Sequence, residues 1–443
     1  MDRLLWAFAR VYRISQWTRR RFTPAGQAML YLLLAAAVFG IDTRRSMAFQ
    51  IFALPGSFLL IAWLFGRRPH PPPRLERRLP EFTTVGEPFS YRQIVSNRGT
   101  RPISGVKLRD ELVVDFPSAA EFRRERHRTD TALNWVDRRI GYPRWLELVR
   151  HRRGAAIDEI ALPPVAPGSS HEVTIPVTPL RRGALRFQGS RLLLPDPLGL
   201  INSVSDYDLP GEVVVLPRRY PVPELALPGA RRFQRGGVSL SLDVGDSQEF
   251  VQLRDYRPGD ALRHVHWRSF ARTGTPVVKE FHDEFFIRYA LVLDTFLTDT
   301  LAPELFEAAV SVAASFVSSI QTRDALLDLM FVEDQAYRVT VGRGVGQTAQ
   351  LLRVLAAVEA SRQSDFAVLT QQVLIHAATL TACVVVVLVL DPERRALIER
   401  LRALGLAPLV LVIGPPPTDR AEPGMYWIDP QNIAASLARI SSP

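Results

Sequence analysis

The sequence predicts a multidomain membrane protein: an N-terminal transmembrane α-hairpin, a β-sandwich middle domain and a C-terminal doubly wound α/β domain. Three observations predict it. Two nearly uncharged apolar runs lie near the N-terminus, short alternating stretches fill the middle, and strands alternate with helices after residue 286. With 443 residues and 47% hydrophobic content, the chain can fill several cores.

The formal net charge of +10 sits at one end. Residues 1–80 hold 13 Arg, no Lys and only three acidic residues, Asp2, Asp42 and Glu76, so the remainder is neutral. A nucleic-acid binder is expected to carry its basic face on a folded domain. Here the arginines flank apolar sequence, which suits anionic headgroups, and nucleic-acid binding is not expected. Segment 1–24 reads as a basic interfacial helix, with Leu4, Leu5, Phe8, Val11 and Tyr12 at helical spacing among arginines.

Residues 25–66 read as two spans, Ala25 to Ile41 and Met47 to Gly66, each near the length that crosses a hydrocarbon core of ~30 Å. Arg3, Arg10, Arg13, Arg19, Arg20 and Arg21 precede them, Arg67, Arg68, Arg74, Arg77 and Arg78 follow, and only Arg44 and Arg45 lie between. That bias predicts a multi-pass protein in the lipid bilayer with both termini and the large body cytoplasmic. The other reading is a hydrophobic core hairpin of a soluble domain. A Pro- and Arg-rich linker, 67–78, contains the stiff run His70-Pro71-Pro72-Pro73.

Between 79 and 217, Phe89 and Tyr91 alternate with Ser90 and Arg92, and Val173, Ile175 and Val177 with Glu172 and Thr174. Turn clusters separate these stretches, as in an antiparallel sandwich. An Arg-rich helical insertion, 119–153, carries Trp135, Tyr142 and Trp145, which either anchor at a membrane interface or cap one end of the sandwich.

In 286–443, Ala290 to Asp294 reads as a buried strand and Pro303 opens an amphipathic helix; the alternation then repeats to Ile413. The one cysteine, Cys383, lies in an apolar valine run and reads as a small buried hydrophobe. Ligands of doubly wound sheets collect beyond the carboxyl ends of strands. Asp294 and Asp391 each follow a buried strand, so two carboxylates could meet there with the hydroxyl of Thr295 or Thr298, a donor set suited to Mg²⁺. The alternative for Asp391 is a helix cap, which Pro392 favours.

The segment 218–285 combines a linker with the most distinctive run of the chain. It contains Arg254, Asp255, Tyr256, Pro258, Gly259 and Asp260, then Trp267 and Arg272. Opposite charges beside aromatics and a Pro-Gly turn make either a salt-bridged clamp or a docking surface. His264 and His266 lack further nearby metal ligands, and Walker A, G-x-S-x-G, H-E-x-x-H and C-x-x-C patterns are absent.

The run Leu253-Arg254-Asp255-Tyr256-Arg257-Pro258-Gly259-Asp260, with Trp267 and Ala271-Arg272-Thr273-Gly274, closely resembles the bacterial domain-of-unknown-function 58 family. Pro179-Leu180-Arg181-Arg182-Gly183 and Asp196-Pro197-Leu198-Gly199-Leu200 extend the resemblance. It implies that the α/β region is von Willebrand factor A-like, with Asp294 and Thr298 at the first and last positions of a D-x-S-x-S metal loop and Phe296 in place of its middle serine. It also implies association with a MoxR-type AAA+ ATPase and with a transglutaminase-like membrane protein. The expected function is therefore a non-catalytic adaptor tethered to the bacterial inner membrane, working in envelope protein maintenance or complex assembly. The alternatives are a metal-dependent hydrolase using Asp294 and Asp391, or a structural envelope protein.

Overall fold

The computed structural model describes residues 2–40, 46–66, 73–125, 135–223, 250–260, 262–281, 287–298, 301–320, 325–341, 345–362, 365–415 and 424–440. The chain divides into two compact units, Met1–Arg218 and Arg219–Pro443.

Alternation builds the first unit. Its strands are β1 (Arg74–Arg78), β2 (Phe82–Thr84), β3 (Phe89–Ser96), β4 (Lys107–Leu112), β5 (Ala155–Ala156), β6 (Ile160–Ala161), β7 (Ser170–Pro179), β8 (Gly183–Pro195) and β9 (Asn202–Leu216). On β7, Val173, Ile175 and Val177 are buried while Glu172 and Thr174 face outward, as period two requires. The strands form two sheets, β1-β3-β7-β5 and β2-β9-β8-β4-β6. Tyr91, Val95 and Ile175 of the first share one core with Leu108, Phe187 and Val213 of the second. Only the β2 and β9 pair is parallel among these strands.

A charged group lies inside that core. Asp110 is fully buried, accepts a hydrogen bond from the Tyr91 hydroxyl and pairs with Arg77 at 3.1 Å. Arg77 also donates to the carbonyls of Leu209 (2.6 Å) and Gly189 (2.9 Å), so the buried charge is hydrogen-bonded as well as paired. This changes the reading of the arginines after Gly66. Residues 74–78 are a sandwich strand, not a linker, and the Arg77 side chain is buried beside Asp110.

The helices of this unit are α1 (Asp2–Arg21), α2 (Pro24–Gly40), α3 (Ser46–Gly66), α4 (Ala119–Glu125), α5 (Trp135–Ile140) and α6 (Tyr142–Arg153). Ser118 and Glu121 form a reciprocal capping box at the start of α4. Trp145 is 1% exposed, stacked on Phe116 and Tyr142 and packed against Phe8 of α1. Tyr142 and Trp145 of the insertion thus pack against α1; residues 126–134 and the side chain of Trp135 lie outside the described residues.

The transmembrane hairpin is corrected: among the described residues, no helix is long and apolar enough to cross a membrane. At ~1.5 Å per residue the 17 residues of α2 span ~25 Å, short of a hydrocarbon core of ~30 Å. In α3 the side chains are described only over 50–66, and Pro55 interrupts them. The multi-pass inner-membrane placement falls with the hairpin; the connection 41–45 and the run His70 to Pro72 lie outside the described residues. The two helices instead dock on the Asp196–Leu200 loop. Thr23 N–H donates to the Leu200 carbonyl at 3.0 Å, and Leu59 and Ala62 pack on Leu200 and Ile201. A Cβ on Gly26 would stand 1.9 Å from the Leu200 carbonyl oxygen, so only glycine permits this approach. Leu34, Ile51, Leu54, Leu60 and Leu64 remain exposed on the outer faces.

The second unit begins with a small module of β10 (Phe250–Asp255), α7 (Trp267–Thr273) and β11 (Val277–Phe281). A six-stranded sheet follows, from β12 (Ile287–Leu293), β13 (Ala325–Val332), β14 (Ala336–Val341), β15 (Ala382–Val387), β16 (Leu409–Ile413) and β17 (Met425–Ile428). Its order is β14-β13-β12-β15-β16-β17, parallel throughout except for the antiparallel edge strand β14. Helices α8 (Pro303–Ser319), α9 (Val345–Ala357), α10 (Phe366–His376), α11 (Pro392–Ala403) and α12 (Ile433–Ala438) complete it. Leu369 of α10 and Leu397 of α11 share a core with Val292, Val385 and Val412, while α8 contacts β12, β15 and β16. β15 is buried at every position, as a strand covered on both faces must be. Burial pushes the Cys383 thiol up to about 12, which leaves it inert.

Candidate functional site

The two strand-end carboxylates do meet, and an arginine lies between them. Asp294 ends β12 and is 1% exposed. Its Oδ2 accepts from Leu388 N–H at 3.1 Å and its Oδ1 from Phe296 N–H at 3.0 Å. Arg394 donates to the same carboxylate in bidentate fashion, Nε to Oδ2 at 3.0 Å and Nη2 to Oδ1 at 3.2 Å. Asp391 caps α11 by accepting from Arg394 N–H at 2.9 Å, and its other oxygen takes Arg394 Nη1 at 2.5 Å. One guanidinium therefore ties both carboxylates together, in the planar two-toothed geometry that arginine favours.

Phe296 belongs to this arrangement. Its ring meets Phe366 edge to face at 5.5 Å, and the Arg394 guanidinium lies 4.3 Å from the Phe366 centroid and 6.0 Å from that of Phe296. An aromatic wall excludes water from the ion pair and adds a cation–π attraction. Burial pushes the Asp294 carboxyl above its usual range, against the pull of Arg394 and the two backbone amides. Burial would lower Arg394, but Asp294 first and Asp391 second hold it above its ordinary value.

These residues do not fit a divalent cation. Every Asp294 oxygen already has two donors, and the cation at this point is a guanidinium. Thr298 is exposed, and its carbonyl accepts from Leu301 N–H. Thr295 turns its hydroxyl to the Val332 carbonyl. Among the described residues no group of three or more His, Cys, Asp or Glu could hold a metal ion. Sequence reasoning missed Arg394, although its place three residues after a helix-capping aspartate puts the two side chains on one turn.

The signature residues assemble into the module that precedes the sheet. β10 and β11 pair in antiparallel register, with Asp255 opposite Val277. Arg254 grips Asp260 with two bonds of 2.7 Å, and Asp260 also accepts from Arg257 N–H at 2.9 Å. The turn between them runs through Pro258 and Gly259, whose φ of 110° requires glycine. Hydrogen bonding from Arg254 and then from the Arg257 amide holds the Asp260 carboxyl down at about 2. Tyr256 N–H donates to the Pro276 carbonyl at 3.0 Å, tying the turn to β11.

His266 opens α7, and its Nδ1 lies 2.7 Å from the Ser269 hydroxyl; His264 accepts from Arg263. The two imidazoles are thus engaged locally. Trp267, at the first position of α7, is 60% exposed and meets Phe270 edge to face at 6.1 Å. Leu262 and Arg272 are exposed beside it in sequence. Arg254 and Asp260 make the frame, and Trp267 and Phe270 face solvent.

Residues 252–414 match the family described as Protein of unknown function DUF58. The uncharacterized protein YeaD of Bacillus subtilis (strain 168) is 29% identical over 181 residues, which are 40% of this chain and 42% of that protein. The chain thus spans less than half the length of that relative. Among solved structures, an aerotolerance-related membrane protein from Bacteroides fragilis NCTC 9343 is 13% identical and covers 34% of this chain and 86% of its own, with a TM-score of 0.21. The CARDB domain of PF1109 from Pyrococcus furiosus is 14% identical, covering 32% of this chain and 93% of its own, with a TM-score of 0.17.

Proposed function

We propose that this chain is a non-catalytic adaptor whose 250–281 module docks a MoxR-type AAA+ ATPase during the assembly or maintenance of other protein complexes. The observation that carries the reading is the exposed Trp267 and Phe270 pair on a module whose turn is held by the Arg254 and Asp260 clamp. Exposed aromatics on a rigid support are the usual anchors of protein interfaces. The family resemblance supplies the class of partner, and the doubly wound sheet with one antiparallel edge supports the von Willebrand factor A-like reading of residues 286–443.

Arg394 supports a further part of the proposal. It provides the positive charge that Mg²⁺ would supply in a metal-dependent loop, so docking is proposed to need no divalent cation bound to this chain. A hydrolase built on Asp294 and Asp391 lacks comparable support, because Arg394 leaves neither carboxylate free to hold a catalytic metal. Co-purification of the full chain, with and without Mg²⁺, tests the reading. An AAA+ ATPase identified by mass spectrometry and rebinding after purification is the expected result; retention of none in either condition overturns it.

A further inference from the structure

The first unit holds a cleft of about 580 Å³ between α1, the β4 and β8 edge and the end of α6. Four guanidinium groups converge on it, from Arg13, Arg20, Arg109 and Arg153, against one carboxylate, Glu111. That carboxylate is already taken: Arg20 pairs with it at 2.8 Å and Arg191 binds the same Oε1. Arg109 leans on Glu159 at 3.2 Å, and Arg153 makes no ion pair among the described residues. The Nε groups of Arg20, Arg109 and Arg153 are buried with no hydrogen-bond acceptor among the described residues.

Buried N–H donors are almost always satisfied in folded proteins, so three unpaired ones on one cleft need an explanation. Burial lowers the Arg20 and Arg153 guanidinium groups from their ordinary values, and Arg109 adds to the effect on Arg153 through like-charge repulsion. An anion with several oxygens placed among them would relieve both problems. Guanidinium forks match phosphate oxygens in planar, paired geometry.

Gln16 and Gln188 also line the cleft, and the remaining side chains are aromatic or aliphatic. Tyr12, Ile14 and Trp17 lie along α1, and Leu112 and Val114 face them from the sandwich side. The volume falls in the range of small-molecule sites, in which a few polar groups orient a ligand that apolar walls enclose. We propose that this cleft binds a phosphate monoester carried on an apolar body, with Arg20, Arg109 and Arg153 on the phosphate and Trp17 with Ile14 against the apolar part. This site is independent of the docking module and of the Asp294 pair.

Two probes with the same headgroup separate a polar phosphate metabolite from an acyl-bearing one: glycerol 3-phosphate and water-soluble dihexanoyl phosphatidic acid. Calorimetric titration of the full chain is expected to show saturable binding of the acylated probe, roughly tenfold tighter than glycerol 3-phosphate. Arg153→Gln and Arg109→Gln are each expected to weaken it roughly tenfold, while Arg186→Gln, an exposed arginine of β8, leaves it unchanged. Melting curves establish that each variant is folded. No binding of either probe, equal affinity for both, or loss of affinity in Arg186→Gln to the same extent as in Arg153→Gln overturns the proposal.

Discussion

Arg394 decides the chemistry of the strand-end site. A guanidinium tied to two carboxylates at 6% exposure cannot lose a partner cheaply, because the remaining charge stays buried. Arg394→Ala is expected to destabilise the second unit by ~3–5 kcal/mol, read as a fall in its melting temperature of about 10 °C. Millimolar Mg²⁺ is expected to leave the melting temperature of the wild type unchanged, since binding to the folded state alone would raise it. A Mg²⁺-dependent rise would show that the carboxylates hold a metal. Asp260 gives a second prediction at this scale. Its carboxyl is held at about 2 against an ordinary value of 3.8, so its stabilising contribution is complete above that ordinary value and is lost as pH falls through about 2. A carboxyl-carbon NMR titration should place its midpoint near 2, and Arg254→Ala should return it toward 3.8. Asp294 and Asp391 were legible as a pair because each follows an apolar strand. Arg394 was not, because a buried arginine and an exposed one look alike in sequence until the helix register is known.

At the scale of elements, short polar loops fix where helices lie. The Asp196 carboxylate accepts from Leu198 N–H at 2.9 Å and from Leu200 and Ile201 N–H, both at 2.7 Å. This closed loop then offers the Gly199 and Leu200 carbonyls to Thr23 at the junction of α1 and α2. Asp196→Ala removes three acceptor contacts at once, and a loss of ~2–3 kcal/mol of first-unit stability is expected from chemical denaturation. An unchanged denaturation midpoint would mean that the helices are held by apolar contact alone. The sequence marked this loop by its Asp-Pro-x-Gly pattern but not its role, which depends on contacts from residues more than 170 positions away. The same remoteness explains the hairpin. Apolar runs flanked by arginines carry a membrane signal by composition, yet one of those arginines, Arg77, pairs with Asp110 inside the sandwich, and the runs share a core with Leu200 and Ile201. Strand alternation on β7 and the buried valines of β15 were readable because each depends only on local period; α10, β14 and β17 were not, since no strong period marks them.

For the whole molecule, the two units carry separate cores and separate chemistry. The first concentrates arginine around a cleft, and the second presents a framed aromatic surface ahead of a sheet whose strand-end carboxylates are closed by Arg394. Separate cores predict separable stabilities: Asp196→Ala should lower one thermal transition and Arg394→Ala another, whereas a single transition shifted equally by both would contradict this division. Two of the arginines that composition alone assigns to headgroups, Arg20 and Arg77, pair with Glu111 and Asp110 of the first unit. The signature module is proposed as a docking surface, and affinity measured between the purified full chain and a MoxR-type ATPase is the decisive measurement. Trp267→Ala removes the exposed anchor without touching the Arg254 and Asp260 clamp, and it is expected to weaken binding by roughly thirtyfold at an unchanged melting temperature. Affinity that is the same for wild type and Trp267→Ala would contradict the claim.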